Sequence, residues 1–124
     1  MNILTISEDQ KVLNIINTIK SNSSFNFTSK SQNLDELDVL TKVYASKPNI
    51  LIFDDDSFNG RSKKMIANIA KTLKKVSIIF LTSNASVELG KEVSPFGISY
   101  YGIKPIEVKE LEDTLNSLNN SFYS

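Results

Sequence analysis

Two acidic runs hold most of the side chains in this sequence that could do chemistry: Glu8 and Asp9, which follow Ser7, and the triplet Asp54, Asp55 and Asp56 in "IFDDDSFNG". Carboxylates forced together repel one another, and their pKa values rise unless a cation intervenes. Ligands that are all oxygen favour a hard ion such as Mg²⁺. The sequence has no His and no Cys, which removes the commonest general base, the commonest metal ligand and a thiolate nucleophile. Chemistry therefore falls to carboxylates, hydroxyls and lysines. Thr82 and Lys104, the latter followed by Pro105, supply a hydroxyl and an ammonium. Taken singly, each has a plainer role: a solvated turn for the acids, a strand-end hydroxyl, a common way to leave a strand. Only their convergence would make a site.

The elements that could bring them together are legible from periodicity. Short apolar runs rich in β-branched and aromatic residues, "NILTI" (2–6), "FNFTSK" (25–30), "NILIF" (49–53), "VSIIFL" (76–81) and "ISYYGI" (98–103), predict five strands. Between them the apolar residues fall at helical spacing: Val12, Leu13, Ile15, Ile16 and Ile19, then Leu37, Val39, Leu40 and Val43, then Met65, Ile66, Ile69 and Leu73. "ASVELGKEV" and "EVKELEDTLNSL" complete the series, the last with Leu111, Leu115 and Leu118 on one face. Strict alternation implies parallel strands joined by right-handed crossovers, with helices on both faces. The expected fold is α/β, a doubly wound (βα)5 domain with a five-stranded parallel sheet of order 2-1-3-4-5. Ligands of such sheets sit beyond the carboxyl ends of the strands, where strand order reverses. Both acidic runs, Thr82 and Lys104 lie at those ends. Acids, a hard cation, a hydroxyl and a lysine around one Asp are the parts needed to transfer a phosphoryl group to it.

Composition narrows the alternatives. A chain of 124 residues with 40% apolar content suits one domain, expected over 1–120 with a frayed tail at 121–124. The amino terminus lacks a basic start and a long apolar stretch, so no signal peptide is expected, and no segment reaches the roughly 20 apolar residues of a membrane span. A cytoplasmic setting follows. Fourteen basic residues balance fourteen acidic ones, and a single arginine, Arg61, argues against a phosphate-reading patch, so direct nucleic-acid binding is not expected. The run "SEDQK" after the first strand would repel a phosphate, which argues against a flavin or nucleotide binder of similar architecture. With no output domain after the fifth helix, the sequence suits a stand-alone unit or the excised input part of a longer chain.

The constellation resembles the receiver domain of two-component response regulators, over essentially the whole chain. Counting from Thr82, Ser83, Gly97, Tyr101 and Lys104-Pro105 fall in register with that family's pattern. The resemblance implies that Asp54 is the phosphoacceptor, that Thr82 and Lys104 assist transfer, and that Thr82 and Tyr101 form the switch. It implies Mg²⁺ held by Glu8, Asp54 and the backbone carbonyl of Asp56, with Asp55 outward or loop-facing. A cis bond between Lys104 and Pro105 is expected on the same ground. The chain departs from the pattern at Ser7, where a first acid is usual, and at Phe58 and Ser62, in the places of a Pro and a closing Gly. Pairing Ser7 with Glu8 keeps helical register; sliding by one restores an acidic pair as Glu8 and Asp9. Pro95 should end the fourth helix early.

Two functions follow from the resemblance. In one, a sensor histidine kinase or phosphotransfer protein donates a phosphoryl group to Asp54, and the chain then engages a downstream protein. In the other, an eroded pocket leaves a phosphorylation-independent interaction module. Neither is an enzyme beyond promoting its own modification, neither calls for nucleic acid or membrane, and the last two helices could support a homodimer.

Overall fold

The computed structural model describes residues 1–122. Of the expected frayed tail, Ser121 and Phe122 continue the last helix, and 123–124 lie outside the described residues. Five strands, β1 (Asn2–Ile6), β2 (Asn26–Lys30), β3 (Ile50–Asp54), β4 (Ser77–Thr82) and β5 (Ile98–Ile103), alternate with five helices, α1 (Gln10–Lys20), α2 (Glu36–Ser46), α3 (Ser62–Thr72), α4 (Val87–Val93) and α5 (Val108–Phe122). The strands form one parallel sheet of order 2-1-3-4-5, as the alternation predicts.

Every residue of β3 is buried, because helices cover both faces of the sheet and successive side chains go to opposite sides. Leu51 and Phe53 point to the layer of α2, α3 and α4, where they meet Val39, Val43, Met65, Ile66, Ile69 and Val93. Ile50 and Ile52 point to the layer of α1 and α5, against Val12, Ile16, Ile19, Leu111 and Leu115. The helical faces read from the sequence are thus the faces that pack, except at Leu37, which lies in the first turn of α2 and is exposed.

Local chemistry sets where the helices begin and stop. Asp9 caps α1 by accepting from the Lys11 N–H at 2.9 Å, Asp35 caps α2 through the Asp38 N–H, and Ser86 caps α4 through the Leu89 N–H. Each supplies an oxygen to an orphan amide of the first turn. α4 is only seven residues long. A 3-10 turn with Pro95 follows it, and Gly97 leaves that turn in the left-handed region at φ 76°, a conformation glycine adopts without steric cost.

The loop from β3 to α3 carries Phe58 and Ser62, the two departures noted above, and both are buried. It opens with a 3-10 turn over Asp55–Ser57, then turns through Asn59 and Gly60, both at positive φ. Phe58 is fully buried and stacks on Phe53 with ring centroids 4.5 Å apart. The Arg61 guanidinium lies over the Phe58 ring at 5.6 Å and donates to the Phe58 carbonyl at 3.0 Å. Ser62 begins α3, buried, with Met65, Ile66 and Ile69 inward as its register predicts.

Candidate functional site

Four strand ends form an acidic cup. Asp54 closes β3 and its side chain is fully buried. Its Oδ1 accepts from Lys104 Nζ at 2.8 Å and from the Asp56 N–H at 3.1 Å. Its Oδ2 accepts from Ser7 Oγ at 2.6 Å and from Ser57 Oγ at 3.3 Å. An ionised carboxylate has about four acceptor positions, so Asp54 is fully satisfied, as a buried charge must be.

Lys104 is placed by β5 pairing with β4: its backbone N–H donates to the Thr82 carbonyl at 2.8 Å. Its ammonium bonds Asp54 at 2.8 Å and Asp9 and Asp56 at 2.9 Å each, one carboxylate for each donor. Burial pushes the ammonium's pKa down, but the bonds to Asp54, Asp9 and Asp56 outweigh it and the net shift is upward. The Lys104 bond holds the Asp9 carboxyl below its ordinary value. At Asp56, burial works upward, yet the bonds from Lys104 and Ser83 prevail and the pKa is lowered.

The side chains sort differently around the cup from the sequence expectation. Ser7 and Asp9 turn inward and Glu8 is exposed, because the chain beyond β1 keeps its alternation and residues two apart share a side. Asp9 therefore meets Lys104, while Glu8 contributes its N–H, which donates to Ser57 Oγ at 3.1 Å. Asp55 turns to β4 rather than outward: Thr82 Oγ1 donates to its Oδ2 at 2.7 Å. Asp56 engages through its carboxylate, which accepts from Ser83 Oγ at 2.8 Å and from the Ser83 N–H. Tyr101 already lies inward. Its ring stacks on Phe80 at 5.3 Å, and its hydroxyl is buried with no hydrogen-bond partner among the described residues. The Lys104–Pro105 bond is cis.

The donor set suits a hard divalent cation in kind and in charge. Three carboxylates face one ammonium, with neither nitrogen nor sulfur ligands among them. Among the described residues no three acids are spaced to coordinate an ion together.

This arrangement of strands and helices is found again in solved structures. The receiver domain of the Francisella response regulator 1452 superposes with a TM-score of 0.81 at 19% identity, covering 98% of each chain. A CheY-like response regulator receiver domain from Methanospirillum hungatei gives 0.80 at 19% identity, covering 96% of this chain and 94% of that one. A DNA-binding response regulator of the LuxR family from Staphylococcus aureus gives 0.79 at 24% identity, covering 97% of this chain and 100% of that one. The chain has the receiver fold. No family model matches the sequence, and no curated protein does, so the likeness is one of fold.

Within this receiver fold, the sequence identified Asp54, Thr82 and Lys104 as neighbours at one mouth, and the structure brings all three there. Asp9, Ser7, Ser57 and Ser83 are the members that sequence reasoning did not assign. Alternation past the end of β1 would have singled out Asp9; Ser83 was legible only as the small residue that follows Thr82 in the receiver pattern, and for Ser57 the sequence carries no signal beyond proximity to Asp54. Among the described residues no helix is long and apolar enough to cross a membrane.

Proposed function

We propose that this chain is a signalling receiver that accepts a phosphoryl group on Asp54 from a phosphohistidine of another protein, a sensor histidine kinase or a phosphotransfer protein. One observation carries the reading: the buried Asp54 carboxylate bonded at 2.8 Å to a lysine whose own charge is fixed by two further acids. An Asp54 oxygen attacks phosphorus, the P–O bond forms as the P–N bond to imidazole breaks, and the ring nitrogen keeps the electron pair. Lys104 offsets the negative charge on the moving group. Asp54 and Asp56, with Glu8 or Asp9 beside them, would hold Mg²⁺, which would supply charge neutralisation at the phosphoryl oxygens. The Thr82 hydroxyl then exchanges Asp55 for a phosphoryl oxygen, and Tyr101 and the face of α4, β5 and α5 adjust to it. The chain is an acceptor, catalysing at most its own modification. The reading places it in the cytoplasm with its donor and a downstream protein target, free or as a homodimer.

The test is incubation with Mg²⁺ and acetyl phosphate followed by intact mass. The expected result is a gain of one phosphoryl group that Asp54→Asn abolishes. No gain from either acetyl phosphate or a phosphorylated histidine donor would overturn the reading.

A second reading, an interaction module that works without phosphorylation, is favoured by a specific feature. Ser7 stands where a first acid is usual and ties Asp54 Oδ2 at 2.6 Å, so the nucleophile is held by a hydroxyl. Under that reading the mass stays unchanged while Asp54→Asn leaves partner binding intact.

A further inference from the structure

The loop that leaves β4 is tied to the loop that leaves β3 by acids of the chain itself. Thr82 Oγ1 donates to Asp55 Oδ2 at 2.7 Å and accepts from the Asn84 N–H at 3.0 Å. Next to it, Ser83 gives both its hydroxyl, at 2.8 Å, and its N–H to the Asp56 carboxylate. A hydroxyl has one proton to give. The proton of Thr82 goes to Asp55, so in this arrangement it is not available to Asp54 or to a group carried on it. Bonds to an ionised acceptor are about twice as strong as neutral ones, and the Thr82–Asp55 bond is part-buried.

Asp55 also acts on the neighbouring strand. Tyr101 packs on Phe80 with its hydroxyl buried and without a partner among the described residues. Burial, and the negative charge of Asp55 in addition, push that phenol's pKa up, which places the Asp55 charge within reach of the Tyr101 ring. From these contacts we infer that Asp55 is a positioning residue: with Asp56 it latches the β4–α4 loop onto the β3–α3 loop and so keeps Thr82 and Tyr101 in their inward arrangement without any modification of Asp54. A fixed carboxylate does here what a transferred anion would otherwise have to do. A phosphoryl group arriving on Asp54 competes with Asp55 for the Thr82 proton and acts on a loop that is already held.

The inference does not depend on phosphorylation, and its test uses the unmodified full chain without Mg²⁺ or phosphodonor. Amide hydrogen exchange and the Tyr101 ring resonances are followed by NMR in wild type, Asp55→Ala, Asp55→Asn and Thr82→Val. In Asp55→Ala and Thr82→Val the amides of Ser83 and Asn84 should exchange about ten-fold faster or more, and the Tyr101 ring signals should shift. Amides of α1 should keep their wild-type rates. Asp55→Asn, which retains an acceptor oxygen, should recover part of the protection. The inference is overturned if Thr82→Val and a folded Asp55 variant leave those amides within about two-fold of wild type, if Tyr101 does not respond, or if the faster exchange is equal throughout the chain. Thr82→Val keeps the test decisive should Asp55→Ala fail to fold, since valine matches threonine in shape.

Discussion

Lys104 stands at the centre of the cup, bonded to three of its acids, and the pH behaviour of the molecule turns on it. Asp9 and Asp56 have lowered pKa values because of their bonds to Lys104. A carboxylate whose folded pKa is depressed adds stability above its unfolded value, near 3.9, and that stability is lost as pH falls through the folded value. The raised pKa of Lys104 works in the opposite sense. Its contribution is complete below the unfolded value, near 10.4, and disappears only as pH rises through the folded one. Urea midpoints should therefore be level through neutral pH and fall below about pH 4. In Lys104→Met the partner that depresses both acids is gone, so the acid limb should flatten while stability at neutral pH drops. Midpoints that fall as steeply in the variant as in wild type would mean that other acids set the acid limb.

At the scale of elements, the β3–α3 loop shows how a departure from a family pattern is accommodated. Phe58 occupies a place where a proline is usual, and the ring fills core space between Phe53 and Arg61. Truncating it to alanine should cost about 3–5 kcal/mol, the range for a fully buried phenylalanine, measured as the change in unfolding free energy. Ser62, at the first position of α3, has the opposite expectation. Its hydroxyl is buried and has no partner among the described residues, and a buried polar group left unsatisfied is a cost. Ser62→Ala should raise stability by about 0.5–1 kcal/mol, through removal of that group and the better helix propensity of alanine. A loss instead would indicate that the hydroxyl is satisfied by water.

For the whole molecule, the strand order, the packing faces and the shortening of α4 at Pro95 were legible because they follow from periodicity and from proline geometry, which act locally. The composition of the cup was legible only in part. Asp54, Thr82 and Lys104 could be placed from the ends of strands, since the fold determines where strands end. Which of Glu8 and Asp9 faces inward depends on whether the chain keeps its alternation for two residues past β1. Asp9 also caps α1, so one carboxylate serves both helix and lysine, and no sequence pattern separates those duties. The bond between Thr82 and Asp55 was hidden for a related reason: it joins loops whose course is set by tertiary packing.

The partners in the cup are far apart along the chain. Ser7 and Asp54 are separated by 47 positions, Asp54 and Lys104 by 50, and Asp9 and Lys104 by 95. Contacts of such separation form only after the intervening chain has paid its loop-closure entropy. The last of them can form only once β5 and Lys104 have been synthesised. A nascent chain short of β5 carries these acids without Lys104 as their counter-charge.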